Sequence, residues 1–204
     1  MPEVLLFGAT GYTGRLTARA LSRRGVSFAI AGRNRSKLEA LAATVGDPQI
    51  RIAEAGDTPG LVKALEGCRV LITCVGPFVE MGDTAVEAAL EAGVNYIDST
   101  GEGTFIAKLI ERDSDARSAG IAMAPAMGFD EVPGDVAATL ACDGMPNAEL
   151  DVTYAVPRTA SLGTIRSTLG IILSEGPWLE DGRTRMISAG EETRWAPMPP
   201  PLGP

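Results

Sequence analysis

Histidine is missing from all 204 residues. Within this chain that excludes Ser-His-Asp and Cys-His nucleophile systems and any histidine-ligated zinc. Proton transfer is left to a carboxylate, tyrosine, lysine, cysteine or water. Cysteine is scarce. Cys68, Cys74 and Cys142 stand at spacings that fit no metal site, no CxxC pair occurs, and no metal is expected. Thiols this sparse and odd in number suit a reducing compartment better than a disulfide scaffold. Cys74, inside an apolar run, reads as a small buried hydrophobe. Long apolar runs are missing too: none approaches the ~18 residues of a membrane span, so no transmembrane segment is expected. The opening Met-Pro-Glu leads straight into VLLFG with no basic n-region, so no signal peptide is expected and the expected location is cytoplasmic. Basic side chains are outnumbered 18 to 26, for a net charge of −8. A binder of nucleic acid or acidic membrane needs a basic face, and the overall balance argues against both.

Hydrophobic residues at 45% and charged residues at 22% are ordinary for a globular chain and argue against disorder over most of its length. Up to about residue 142, short apolar runs alternate with helix-like segments. Strands are expected at Val4–Phe7, Phe28–Ala31, Ile50–Ala53, Val70–Val75, Tyr96–Ile97 and Ile121–Ala124. Helices are expected at Tyr12–Arg24, Ser36–Val45, Thr58–Leu65, Asp83–Ala92, Thr104–Ser118 and Val132–Ala141, with Gly25 and Gly93 as stops. Strict alternation of this kind implies a parallel sheet covered on both faces.

After Cys142 the pattern changes. Residues 143–147, Asp-Gly-Met-Pro-Asn, form a turn-rich junction. Leu150–Val156 alternates apolar and polar residues, as a half-exposed antiparallel strand does. Ser161–Ser174 reads as a helix, and the proline-rich stretch from Ala196 to Pro204 can be neither helix nor central strand. We therefore expect a first domain over residues 1–144 and, over 145–204, the incomplete start of an α+β substrate domain.

The most informative stretch is Gly8-Ala9-Thr10-Gly11-Tyr12-Thr13-Gly14. It follows a strand-like run and opens a helix, the context that gives a glycine motif meaning. Gly8 permits the tight turn, Gly11 lets the backbone approach a pyrophosphate, and Gly14 lets helix and strand pack closely. The helix N-terminus then offers unpaired N–H groups and a positive dipole end to the phosphates. The fold class that follows is α/β, a Rossmann-type doubly wound parallel sheet. The end of the second strand decides the cofactor. An NAD site usually carries Asp or Glu there; this chain carries Gly32-Arg33-Asn34-Arg35-Ser36-Lys37. A carboxylate would repel a 2′-phosphate, whereas Arg33 can fork onto it, with Arg35, Ser36 or Lys37 adding contacts. NADP(H) is the expected cofactor; a solvated basic loop is the bland alternative.

Asp57 follows the third strand, where a side chain can reach the adenine, though it could equally be a surface turn aspartate. Val75-Gly76-Pro77-Phe78 ends the fourth strand at the carboxyl edge, where open α/β sheets bind ligands. Gly76 there would let the backbone pass close to the nicotinamide ribose; Gly-Pro is also simply a good turn. Tyr96, Asp98 and Glu102 after the fifth strand, and Asp130 after the sixth, are the candidate proton donors, because burial can raise a carboxylate toward neutrality. Asp98 and Asp130 could instead cap the helices that follow them.

GATGYTG, AGRNRSKLEAL, VGPF with Gly82 after it, AGVNYIDSTGE and GFDEVPGD occur in an order that resembles the saccharopine-dehydrogenase-like oxidoreductases. The branch it is most similar to contains trans-acting enoyl reductases. The resemblance covers residues 3 to about 142 and continues weakly through 161–167. It implies a Rossmann lobe, an inserted α+β substrate domain and a C-terminal return to the first lobe. It also implies an NADP(H)-dependent oxidoreductase, with enoyl reduction of a lipid or polyketide intermediate as one candidate reaction and imine or ketone reduction as others. Members usually run well beyond 204 residues. Surface normally covered by the rest of such a protein would be exposed here, which favours self-association into a homo-oligomer or instability. The alternative from another class is a non-catalytic NADPH-binding or scaffold module. A nucleotide-sugar-epimerase-like reading fails on its Tyr-x-x-x-Lys pair: Tyr12, Tyr96 and Tyr154 are followed four residues later by Leu16, Thr100 and Arg158.

Overall fold

The computed structural model describes residues 1–129, 131–145, 148, 150, 152–154, 165, 169, 170, 173, 175–180, 183–188, 190 and 191. Four consecutive buried residues, Val4–Phe7, make strand β1. Then follow α1 (Tyr12–Arg23), β2 (Phe28–Gly32), α2 (Arg35–Ala42), β3 (Gln49–Ile52), α3 (Thr58–Ala64) and β4 (Val70–Thr73). The series continues with α4 (Phe78–Met81), α5 (Asp83–Ala92), β5 (Asn95–Asp98), α6 (Gly103–Glu111), α7 (Asp113–Ala119) and β6 (Met123–Ala124). Last come α8 (Val132–Ala141), β7 (Glu175–Glu180) and β8 (Arg183–Ser188).

The first six strands form one sheet in the order β3-β2-β1-β4-β5-β6, every neighbouring pair parallel. This is the doubly wound order, in which the chain first moves outward from β1 and then reverses at β4. Side chains alternate between the faces, and each face has its own core. On one, Val4, Leu6 and Ile30 meet Ala18 of α1 and Leu38, Leu41 and Ala42 of α2. On the other, Leu5, Phe7, Ala29 and Leu71 meet Leu61, Val86, Ala89, Phe105 and Leu109. Because both faces are covered, β1 and β2 are apolar throughout rather than alternating.

The chain divides into two compact units, Met1–Met127 and Gly128–Pro204. The first holds the six-stranded sheet and α1 to α7. In the second, α8 carries Gly134 against the Tyr154 hydroxyl, so close that a Cβ would overlap it, and the Tyr154 ring meets Phe129 edge-on at 5.9 Å. β7 and β8 pair as an antiparallel hairpin from Glu175–Ser188 to Glu180–Arg183. Among the described residues no helix is long and apolar enough to cross a membrane.

The expected elements are found with ends shifted by at most three residues, apart from four differences. The expected helix 104–118 is broken at Arg112, where α6 ends and α7 begins with Asp113 and Asp115 in its first turn. The Arg112 guanidinium holds that junction, bonding Glu87 at 2.7 Å as well as Asp115. The short α4 was not expected, since four residues carry no periodicity. At the expected strand 150–156, Leu150 and Val152–Tyr154 lie outside any ladder, and a lone alternating segment needs a partner strand to become one. The hairpin β7–β8 is not among the expected elements, and its first strand contains Gly176 and Pro177, residues that disfavour strands. Of the expected helix 161–174, the described Ile165, Leu169, Gly170 and Leu173 are helical. Asp130 and the stretch 196–204 lie outside the described residues.

Candidate functional site

Strand register brings the loops of interest together. Phe7 stands opposite Ala31 on one side and Thr73 on the other, and Thr73 stands opposite Asp98. The turns after β1, β2, β4 and β5 therefore leave the sheet side by side at its carboxyl edge. The reversal of strand order falls between β1 and β4, where doubly wound sheets open a crevice.

The turn after β1 is shaped by its glycines. Gly8 has φ of +78°, and a Cβ on it would come within 2.7 Å of Val75 Cγ2. A Cβ on Gly14 would overlap the Gly8 carbonyl oxygen and come within 2.8 Å of Ala9 Cα. The Gly11 amide closes the turn on the Gly8 carbonyl at 3.0 Å, and the Gly8 and Ala9 amides both bond the Ala31 carbonyl at 3.1 and 3.3 Å. The loop is thus tied to the end of β2.

Gly11, the N-cap of α1, has no side chain to cap it. The next two helices differ: Asn34 Oδ1 accepts from the Lys37 amide at 3.0 Å, and Asp57 Oδ1 from the Gly60 amide at 3.0 Å. The open donors of α1, with its positive dipole end and a cradle that any Cβ would fill, fit a phosphate group. Of the basic segment, Asn34 serves α2 as its cap and also takes the Ser36 hydroxyl at 2.9 Å. Arg33, Arg35 and Lys37 are exposed, and none of the three forms an ion pair with a described residue. Exposed cations beside a phosphate-fitting turn suit a second phosphate. Asp57, as the α3 cap, has one oxygen committed to that helix.

The candidates Tyr96, Asp98 and Glu102 belong to one buried cluster. Asp98, 1% exposed, accepts the Tyr96 hydroxyl at 2.7 Å on one oxygen and the Thr100 and Ala126 amides at 2.9 Å on the other. The Asp98 carbonyl takes the Met127 amide at 2.8 Å, so this residue ties the loop after β6 to the end of β5. Burial foremost, and then the neighbouring Asp98 charge, push the Tyr96 phenol far above its ordinary range. Glu102 accepts the Phe78 and Val79 amides at 2.9 and 2.8 Å, which joins it to the VGPF loop. Burial also raises the Cys74 thiol, next to that loop, against opposing hydrogen bonds with Thr17 and Ser99. Asp130 is not among the described residues.

Ala126 was not singled out from sequence. It holds φ of +60°, a conformation alanine rarely adopts, and its amide is one of the three donors on Asp98. Nothing in the string Ala-Pro-Ala-Met announces this. Among the described residues no group of three His, Cys, Asp or Glu side chains could hold a metal.

Three comparisons bear on this geometry. The model of the saccharopine dehydrogenase NADP binding domain family matches residues 4–124. A trans-acting enoyl reductase of Mycobacterium leprae is 35% identical over 142 residues, 66% of this chain and 34% of that protein. A lipid droplet localized protein of Caenorhabditis elegans is 30% identical over 147 residues, with the same shares covered. The chain thus spans about a third of the length of the curated relatives it matches. A solved structure of saccharopine dehydrogenase (L-Glu forming) from Saccharomyces cerevisiae overlays 71% of this chain and 31% of its own at a TM-score of 0.61 and 21% identity, a likeness of fold. The family match covers the whole six-stranded sheet from β1 to β6, and the chain belongs to the saccharopine dehydrogenase NADP-binding domain family, with NADP(H) as the cofactor.

Proposed function

We propose that this chain is the cofactor-binding part of an NADP(H)-dependent enoyl reductase acting on a lipid or polyketide intermediate. The observation that carries the reading is the start of α1 behind its glycine cradle, beside Arg33, Arg35 and Lys37, which form no ion pair among the described residues. The relatives named as trans-acting enoyl reductases support the choice of reaction.

In this reading the backbone of Gly8, Ala9, Thr10, Gly11, Tyr12, Thr13 and Gly14 surrounds the pyrophosphate. Arg33 forks onto the 2′-phosphate, Arg35 and Lys37 add charge, and Asn34 orders the turn that presents them. Asp57 stands on the adenine side, and Val75, Gly76, Pro77 and Phe78 pass the nicotinamide ribose. When bound, NADPH supplies the hydride, and enoyl reduction then needs a proton at the second alkene carbon. The Tyr96 hydroxyl donates to Asp98, and burial makes the phenol hold its proton more tightly, which makes it a poor proton source. Asp98 and Glu102 are committed to backbone donors. Asp130, the remaining candidate, lies outside the described residues. Residues from 145 onward begin the part that holds the acyl chain.

Parallel fluorescence titrations with NADPH and NADH test the cofactor site, with Arg33→Asp as the variant. Losing a charge-assisted pair and gaining a repulsive carboxylate should weaken NADPH by about ten- to a hundredfold and spare NADH. Equal loss of both cofactors would refute the role of Arg33. Turnover of enoyl thioesters, monitored by NADPH consumption, tests the reaction. Selective NADPH binding without turnover of any enoyl substrate would favour a cofactor-binding module without catalysis.

A further inference from the structure

A continuous chain of hydrogen bonds crosses the carboxyl edge of the sheet. It begins at the Tyr96 hydroxyl on Asp98 and passes through the second Asp98 oxygen to the Thr100 amide. The Thr100 hydroxyl oxygen then accepts the Glu102 amide at 3.1 Å. From there the Glu102 carboxylate reaches to the β4 side, one oxygen on the Phe78 amide and the other on the Val79 amide. Those amides are the first donors of α4, whose N-cap residue, Pro77, has no side chain able to accept them.

Packing holds the same helix. The Phe78 ring lies against Phe105 with centroids 5.7 Å apart, and Phe105 sits so close to Gly82 that a Cβ there would overlap its ring. Between Thr73, the last residue of β4, and Phe78 run only Cys74, Val75, Gly76 and Pro77. Val75 abuts Gly8 of the phosphate turn. The segment is therefore held at one end by the turn after β1 and at the other by Glu102.

We infer that Glu102 is a positioning residue, whose carboxylate holds α4 so that the Val75–Pro77 backbone stands at a set distance from the nicotinamide half of the cofactor. The inference rests on the cofactor reading above. Glu102 is 7% exposed with a backbone donor on each oxygen, which suits an anionic anchor at a helix start. Loss of the anchor loosens the nicotinamide end of the site and leaves the phosphate turn and Arg33, on the other side of β1, in place.

The test compares two ligands on the full chain, NADPH and 2′,5′-ADP, which keeps the adenosine and its 2′-phosphate but has no nicotinamide. Wild type, Glu102→Gln and Glu102→Ala are titrated with each, and amide exchange at Phe78 and Val79 is followed in all three. Glu102→Ala should weaken NADPH by about tenfold and 2′,5′-ADP by less than about twofold, with Glu102→Gln between wild type and Ala. Exchange at both amides should quicken in both variants. Equal weakening of the two ligands, or of neither, overturns the inference. So does unchanged exchange in Glu102→Gln, the variant that serves if Glu102→Ala does not fold. A wild-type chain that binds neither ligand would instead refute the cofactor reading, while faster exchange would still mark Glu102 as the anchor of α4.

Discussion

Replacing Gly14 by alanine sets two physical effects against each other. Gly14 lies inside α1, where alanine is intrinsically favoured by about 0.5–1 kcal/mol, so helix propensity alone predicts stabilisation. Packing predicts the reverse. The new Cβ would overlap the Gly8 carbonyl oxygen and stand 2.8 Å from Ala9 Cα and 2.9 Å from Ala9 C. Carbon atoms in contact normally stay about 3.5 Å apart or more, so the shortfall is roughly 0.6–0.7 Å against each of the two carbons. All three obstructing atoms are backbone, and no rotamer change can move them away. α1 must shift off β1, and overpacking of this kind costs about 1–3 kcal/mol, more than propensity returns at most of that range. At this chain length the melting temperature should fall by roughly 2–8 °C. NADPH affinity should fall as well, because the donors of α1 move with the helix. Gly11→Ala is the control: its Cβ would meet one atom, the Gly8 oxygen, at 3.3 Å, and its φ of −71° suits any residue. It should lower stability less than Gly14→Ala yet still cut NADPH binding, since it stands where the phosphate approaches. Thermal melts and NADPH titrations on both variants decide the matter. A Gly14→Ala protein that melts above wild type would refute the packing argument.

Two further predictions concern the buried cluster. Asp98→Asn keeps an oxygen for the Thr100 and Ala126 amides but takes the acceptor away from the Tyr96 hydroxyl, and should cost about 1–3 kcal/mol in urea unfolding; a change below about 0.5 kcal/mol would sink the structural role assigned to Asp98. The Tyr96 phenol has a folded-state pKa raised above its ordinary value of 10.0, so its stabilisation is fully present below pH 10 and is lost as pH rises beyond it. Tyr96→Phe should therefore be less stable than wild type at neutral pH, with the gap narrowing above about pH 10, and a gap that stays constant would refute the reasoning.

The sequence was most legible where one residue type answers one local demand. Gly8 was readable because only glycine sits easily at φ +78° beside Val75, and Gly14 because any Cβ would strike backbone. The six strands were readable because a sheet covered on both faces needs unbroken apolar runs, as in Val4–Phe7 and Phe28–Gly32. The NADP(H) preference was readable because Arg33, Arg35 and Lys37 stand where an NAD site carries a carboxylate. Within that segment, the cap role of Asn34 was not separated from ligand binding, because both uses draw on the same side-chain oxygen.

What stayed hidden depends on contacts between residues far apart in the chain. Glu102 and Phe78 are 24 positions apart, and Asp98 and Ala126 are 28 apart; no local pattern pairs them. A carboxylate after a parallel strand looks the same in sequence whether it serves substrate or a neighbouring loop. The register, which sets Thr73 opposite Asp98, brings the β5 loop to the start of α4, where the Glu102 carboxylate accepts two backbone amides. The same register gives three of the four candidate proton donors different partners. Tyr96 and Asp98 hold each other, and Glu102 holds α4, so each carries a different consequence when it is replaced. Measured separately, the Tyr96 effect should follow pH, the Asp98 effect should follow stability, and the Glu102 effect should follow the nicotinamide half of the ligand. A shared response of all three variants to one of these variables would mean that the cluster acts as a single fold element, with no residue in it tuned to the cofactor.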